Sequence, residues 1–151
     1  MNQYIRQYQK SSIETASREK ILIMLYDGAI QFLNKAKIAL QNNKIEDTHN
    51  NLMSAQNIIQ EFINSMDREV APQLAENLIS LYEYFIRRLM YANMKKEVEP
   101  IDEVIRYLKS LKETWEKAII LAQKEQQASY GSDDDNSCND EYEIDEEEDE
   151  E

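Results

Sequence analysis

The chain contains very few of the residues that make turns. Its 151 residues include two glycines, Gly28 and Gly131, and two prolines, Pro72 and Pro100. A fold of many short strands needs a turn every ~8–12 residues, and glycine and proline dominate such turns. The scarcity of both argues against a many-stranded β fold. It favours one domain of a few long helices joined by short connections.

Cysteine and long apolar runs are also scarce. The one cysteine, Cys138, has no partner in the chain, so a disulfide framework is excluded. The longest strongly apolar run, Ile21–Tyr26, is much too short to span a membrane. The polar first ten residues lack the apolar segment of a secretory signal. These absences predict a cytoplasmic protein without membrane insertion.

The single histidine excludes most site chemistry. Glu46-x-x-His49 has the spacing found in di-iron carboxylate bundles, but such bundles need that motif on two helices. Zinc ligands are too few, a nucleophile would lack a paired histidine, and no glycine-rich phosphate loop is present. We therefore expect no enzyme activity, metal or cofactor, and a metal-dependent enzyme is a remote alternative. His49 is expected at the boundary of the bundle, hydrogen-bonded to a neighbouring helix.

The charge is concentrated at one end of the chain. The net charge is −13, and residues 131–151 hold 13 of the 30 acidic residues and no lysine or arginine. The 17 acidic residues that remain in 1–130 balance the 17 basic ones, so the rest of the chain is formally neutral. This distribution argues against nucleic-acid binding. The tail is too polar to bury a core, and we expect it to be disordered.

Apolar residues at three- and four-residue spacing predict four helices. The first is predicted over Arg18–Gln41, with Ser17 or Thr15 as its N-cap, and the second over Ile45–Met66. The third and fourth are predicted to begin near Pro72 and Pro100. Because the joints are short, successive helices should be antiparallel, which gives an all-α, up-down-up-down four-helix bundle.

The predicted organisation is an N-terminal arm over residues 1–16, the bundle over 17–128 and the acidic tail over 129–151. On the last three helices, the residues predicted to face the core of the bundle are Ile45, Leu52, Ile59, Ile63, Met66, Leu74, Leu78, Leu81, Tyr82, Phe85, Leu89, Ala92, Val104, Leu108, Leu111, Trp115, Ile119 and Ala122.

The helices carry more apolar surface than one core face needs. A bundle helix usually needs a stripe only somewhat over ~100° wide, and the first and third helices exceed it. Flanking residues often pack against adjacent helices, but an exposed remainder would mark a groove for an amphipathic partner. The same surface could instead be buried in a symmetric homodimer. The candidate partner-binding residues on these flanks are Ile23, Met24, Ile30, Ile79, Tyr84, Ile86, Met90 and Tyr91.

Several sequence blocks, taken in order, resemble the FliS family of flagellar secretion chaperones. The two longest are Thr15–Leu33 and Leu81–Asn93. Shorter matches are Ile5-x-x-Tyr8, His49-x-x-Leu52, Ala55-Gln56-x-Ile58-Ile59 and Leu111-x-x-x-Trp115, and the resemblance covers roughly residues 4 to 120. The chain departs from the family in its acidic tail and in Arg18, where family members often have proline.

The resemblance implies a function. FliS-type proteins bind the C-terminal helical region of flagellin in the cytoplasm, prevent its premature polymerisation and support its delivery to the type III export gate, without a cofactor. In the family, an isoleucine and a tyrosine of the N-terminal arm contact the partner, and the arm can cover the groove; Ile5 and Tyr8 match that pair. Another flagellar cargo or regulator, such as an anti-sigma factor or filament cap protein, is the alternative.

Overall fold

Four long helices make up the part of the chain that the structure describes, residues 17–134 of a computed structural model, with side chains described up to residue 131. They are α1 (Arg18–Gln41), α2 (Ile45–Asn64), α3 (Pro72–Lys95) and α4 (Glu99–Asp134). The described residues contain no strand. The predicted all-α four-helix fold is confirmed. The chain divides into two compact units at Glu116, and residues 117–134 continue α4 in the second unit.

Local sequence explains where the first helix begins and ends. Ser17 is the N-cap, as predicted, and its Oγ accepts a hydrogen bond from the backbone N–H of Lys20 at 3.3 Å. Asn43 follows the helix with φ 56°, in the left-handed region where asparagine is tolerated best after glycine. The short joint that results returns the chain directly into α2.

The other helix ends differ slightly from the prediction. The second helix ends at Asn64 rather than Met66, and the Ser65 backbone N–H and Oγ both donate to the Glu61 carbonyl, at 2.9 and 2.7 Å. Proline at the first position begins α3, where its missing N–H costs no hydrogen bond. The fourth helix begins at Glu99 and extends to Asp134, past the predicted domain boundary at residue 128. The division into an arm, a bundle and a tail itself stays a prediction.

The core follows the predicted stripes with several exceptions. Ile45 and Leu74 are 68% and 53% exposed, because both lie in the first turn of their helices, at the ends of the bundle. Ala122 is also exposed. Phe62 and Ile105 lie beside the predicted stripes rather than in them, yet both are buried because the adjacent helices cover them. The fully buried side chains include Tyr26, Leu33, Leu52, Ile59, Phe85, Leu89, Ile101, Val104 and Leu108.

Three hydrogen-bonded aromatic side chains and one stacked ring, which we call the aromatic cluster, join all four helices. The hydroxyls of Tyr26 in α1 and Tyr82 in α3 are hydrogen-bonded to each other. The indole Nε1–H of Trp115 in α4 donates to the Tyr26 hydroxyl at 3.0 Å. The ring of Phe62 in α2 lies 4.7 Å from that of Tyr26 and 5.4 Å from that of Tyr82, between centroids. The buried hydroxyls therefore all have partners.

Burial raises the pKa of both tyrosines in the cluster. The main cause for Tyr26 and for Tyr82 is desolvation, which penalises the ionised phenolate. The proximity of Tyr26 raises the pKa of Tyr82 further, because one phenolate would repel another. The cluster thus stabilises the fold only while both hydroxyls are protonated.

We predict that alkaline pH unfolds the protein through this cluster. Because the pKa of both tyrosines is raised in the fold, their stabilisation is complete below the unfolded value of about 10 and is lost as pH rises above it. Tyr82→Phe should lower the free energy of unfolding at neutral pH by about 1–2 kcal/mol, and should weaken its decline above about pH 10. Urea unfolding followed by circular dichroism across this pH range tests both effects.

The matched control for this experiment is Tyr107→Phe. Tyr107 is 45% exposed, and its ring lies 5.6 Å from that of Phe85, a contact that phenylalanine would keep. This variant should have the stability and pH profile of the wild type. Identical alkaline profiles for the two variants would contradict the assignment of the effect to the aromatic cluster.

Candidate functional site

An apolar groove lies between α2 and α3. Its volume is about 490 Å³, and we call it the methionine groove because three methionine side chains line it: Met53 of α2 and Met90 and Met94 of α3. The polar lining residues are His49, Gln56 and Asn93. The groove therefore combines three apolar side chains with a few hydrogen-bonding groups, the composition typical of a site that binds an apolar ligand in a fixed orientation.

Helical spacing explains why these residues line one groove. His49, Met53 and Gln56 follow at i, i+4 and i+7 on α2, so they share one face of that helix. On α3 the lining positions follow at i, i+3 and i+4 from Met90. Met53, Met90 and Met94 are 39%, 57% and 72% exposed. Methionine is flexible and polarisable, so such a surface can adapt to side chains of different shapes.

A chain of hydrogen bonds crosses one edge of the groove. Asn93 Nδ2 lies 2.7 Å from His49 Nδ1, which links α3 to α2. The Nζ of Lys96 donates to Asn93 Oδ1 at 2.6 Å. The prediction that His49 is a boundary residue bonded to a neighbouring helix is confirmed by this contact. These residues thus form a polar edge beside the methionines.

A second cavity extends the same face of α3 toward its N-terminus. Its volume is about 380 Å³, and Arg68, Pro72, Glu76, Ile79 and Ser80 line it. Ile79 precedes Met90 by three helical turns, roughly 16 Å at 1.5 Å per residue. The half-buried Ile86 lies between them on the same face. A strip of apolar side chains, interrupted by the exposed Glu83, therefore runs along α3 from Ile79 to the methionine groove.

The predicted partner-binding residues lie at several different places in the structure. Ile79, Ile86 and Met90 lie along the strip just described. On α1, Ile23 and Met24 are half-buried. Ile30 is only 9% exposed and belongs to the core, because a neighbouring helix covers this flank of α1, so it offers little surface to a partner. Its role as a partner contact stays a prediction. Ile5 and Tyr8 lie outside the described residues.

Tyr84 and Tyr91 belong to a polar cluster on the side of α3 that faces α4. The Tyr84 hydroxyl donates to Glu103, and Arg88 Nε donates to the other oxygen of that carboxylate at 2.9 Å. The Arg88 guanidinium lies 5.5 Å from the centre of the Tyr91 ring. The hydrogen bond from Tyr84 and the charge of Arg88 hold the pKa of Glu103 below its usual value. These two tyrosines are therefore not part of the methionine groove.

Sequence reasoning missed five of the six residues that line the methionine groove. Met90 was predicted, whereas His49, Met53, Gln56, Asn93 and Met94 were not. Part of the groove could have been recognised from the sequence. Met94 follows Met90 by one turn, and Met53 lies between His49 and Gln56 on one face of α2. Only the pairing of these two faces, which the fold provides, shows that they form one groove.

An all-helical bundle with an open methionine-lined groove has the form of the surfaces that recognise amphipathic helices. The family model "Flagellar protein FliS" matches residues 1–123. The chain is 34% identical over 124 residues to the flagellar secretion chaperone FliS of Bacillus subtilis, covering 82% of this chain and 92% of that protein. It is 31% identical over 112 residues to FliS of Escherichia coli, covering 74% and 82%. The chain therefore belongs to the FliS family of flagellar secretion chaperones, which are not enzymes.

A solved structure supports the same fold. The crystal structure of a flagellar chaperone from bacteria matches with a TM-score of 0.65 and 21% sequence identity, over 76% of this chain and 96% of that chain. At this identity the match is evidence for the fold alone. Among the described residues, no helix is long and apolar enough to cross a membrane.

We predict that Glu103 stabilises the fold above acidic pH. Because its pKa is lowered in the fold, its contribution is present above the ordinary value of about 4.3 and is lost as pH falls through the folded value. Glu103→Gln should therefore lower the unfolding midpoint in urea at pH 7. The difference from the wild type should close as pH falls through the lowered pKa of Glu103 in the fold, below which both side chains are neutral.

Glu99→Gln provides the matched control. Glu99 lies 3.7 Å from the same arginine, but its side chain is 79% exposed, so it should contribute little. If Glu99→Gln and Glu103→Gln lowered stability equally, the hydrogen bonds of the Tyr84–Glu103–Arg88 cluster would not be the cause.

Proposed function

We propose that this chaperone binds the C-terminal helical segment of flagellin in the cytoplasm, prevents its premature polymerisation and supports its delivery to the flagellar type III export apparatus. The observation that carries the proposal is the methionine groove, together with membership of the FliS family. The groove presents three methionine side chains that are 39–72% exposed. A partner with an apolar helical face would bury them.

The shape of the surface suits an amphipathic segment. Such a segment contacts a groove through apolar residues at i, i+3, i+4 and i+7, and the strip from Ile79 to Met94 extends over four helical turns of α3. A cargo segment that is disordered before binding must lose conformational entropy as it orders on the groove. This cost lowers the affinity for a given buried area, which suits a chaperone that must release its cargo for export.

Other residues are proposed as additional contacts. Ile23 and Met24 of α1 and Ile86 of α3 expose part of their side chains, and Tyr84 and Tyr91 would contact a cargo that continues around the α4 side of α3. The resemblance to the family supports contacts from Ile5 and Tyr8 of the N-terminal arm. On the same basis, we propose that the arm covers the groove when cargo is absent.

We predict that polar substitution of the methionines weakens cargo binding. The double variant Met90→Gln with Met94→Gln keeps side chains of similar length while removing most of the apolar contact. If each methionine contributes about 1 kcal/mol by burial, the dissociation constant should rise roughly tenfold to a hundredfold. Calorimetry against a peptide from the flagellin C-terminus measures this change. The wild type should also bind with a negative heat-capacity change.

Leu74→Gln is the control for this experiment. Leu74 lies on the same helix and is 53% exposed, close to the 57% of Met90, but it does not line either cavity. It should leave the affinity unchanged.

Failure of the wild type to bind the peptide would overturn the flagellin assignment. Binding of a filament cap protein or anti-sigma factor would then support the other-cargo alternative, and a dimer in sedimentation would support the homodimer.

We predict that removal of residues 1–15 changes the exposure of the groove. If the arm covers the groove and its Ile5 and Tyr8 also contact cargo, the truncated chain should exchange the amide hydrogens of the groove helices faster when free. It should also bind the flagellin peptide with an altered affinity. Hydrogen exchange with mass spectrometry and calorimetry measure the two effects. Unchanged protection and unchanged affinity would together contradict a covering arm.

A further inference from the structure

The polar edge of the methionine groove fixes the hydrogen-bonding roles of its members. Lys96 Nζ can only donate, so Asn93 Oδ1 is the atom that accepts from it at 2.6 Å. This orients the Asn93 amide with Nδ2 as a donor toward His49 Nδ1, at 2.7 Å. His49 Nδ1 must therefore accept. A histidine whose Nδ1 accepts is neutral and carries its proton on Nε2.

Lys96 ends α3 as its C-cap. It has φ 54° and ψ 47°, the left-handed conformation common at helix C-termini, and its backbone N–H donates to the Ala92 carbonyl. This capped end places the Lys96 side chain one turn from Asn93, within hydrogen-bond distance of Oδ1.

The geometry points to His49 as a specificity-determining residue of the methionine groove: its Nε2–H donates a hydrogen bond to an oxygen acceptor on the bound segment. Lys96 and Asn93 are positioning residues that hold the imidazole in this tautomer. The inference rests on the proposed function, since it assigns a role within the same binding site. Because Nδ1 is engaged by Asn93, Nε2–H is the remaining hydrogen-bonding group of an exposed side chain that lines the groove.

The proposed contact gives the groove a selectivity between partner segments that the methionines alone cannot provide. Thioether side chains accept many apolar shapes and discriminate weakly between them. A donor at one edge instead requires an oxygen acceptor at one position of the partner, either a carbonyl or a carboxylate. A segment that placed an apolar side chain there would leave the donor without a partner, which costs more than an average hydrogen bond contributes. His49 thus selects the register in which a segment binds.

Two substitutions of His49 distinguish the role of Nε2 from that of Nδ1. In glutamine, the amide nitrogen is as many bonds from Cβ as Nε2 is in histidine, so His49→Gln keeps a donor toward the partner. In asparagine, the amide group reaches only the position of Nδ1, so His49→Asn keeps a contact with Asn93 but loses the donor. Both changes are at an exposed helical position and should leave the fold intact.

Calorimetry with the flagellin C-terminal peptide tests the inference. We expect His49→Asn to weaken binding about five- to tenfold, and His49→Gln to bind within about twofold of the wild type. Equal affinity of His49→Asn and the wild type would overturn the role of His49 while leaving the proposed function standing. If the wild type did not bind the peptide, the proposed function and this inference would both fall.

Lys96→Gly tests the positioning role separately from stability. Glycine relieves the left-handed strain, so this variant should be at least as stable as the wild type, yet it removes the donor that orients Asn93. We expect weaker peptide binding despite equal or higher stability. A loss of stability in parallel with binding would instead indicate a merely structural role.

The single histidine allows a direct spectroscopic readout. Selective ¹⁵N-histidine labelling gives one imidazole, because His49 is the only histidine in the chain. Its two ring-nitrogen shifts should indicate the Nε2–H tautomer in the wild type. In Asn93→Asp the carboxylate would accept from Nδ1, so the shifts should change to those of an Nδ1–H or doubly protonated ring. The same tautomer in both proteins would contradict the proposed orientation.

Discussion

The hydroxyl pair of Tyr26 and Tyr82 is the constraint on which the rest of the structure depends. Two buried hydroxyls would each destabilise the fold if left without partners, and both are satisfied only when α1, α3 and α4 present these residues and Trp115 to a common point. The ring of Phe62 brings α2 to the same point. The cluster thereby fixes the rotation of each helix about its axis, and with it the faces that remain outside.

The aromatic cluster therefore also determines where the groove forms. With Tyr82 and Leu89 directed inward, Met90 and Met94 lie at the margin of α3, and with Leu52 and Ile59 inward, Met53 lies at the facing margin of α2. The groove is a consequence of the same helical periodicity that builds the core. On its opposite margin, α3 is joined to α4 by Arg88 and Glu103, so the two sides of one helix have different chemistry.

The sequence predicted the helices and most of the core because each depends on local spacing. Ser17 as the cap, the boundaries of α1 and the inward positions from Leu78 to Ala92 are properties of one segment at a time. The differences from the prediction arose where neighbouring helices decide the outcome. Ile30 and Phe62 look like flanking residues in a helical projection, but adjacent helices cover them, whereas Ile45 and Leu74 fit the stripe but lie at the bundle ends. The groove needs two helices and could not be read from either one.

The fold separates the residues that stabilise the bundle from those available for binding. Leu52, Leu89 and Ala92, which adjoin the groove residues in sequence, are fully buried, so a rigid core supports the flexible methionine side chains. A partner can then bind without rearranging the bundle, and the ordering cost falls on the partner segment rather than on the chaperone. A groove of this kind is preorganised in its backbone and adaptable only in its side chains. In the proposed function, such a groove covers the apolar face of a segment, while the cost of ordering that segment limits the affinity and so permits release.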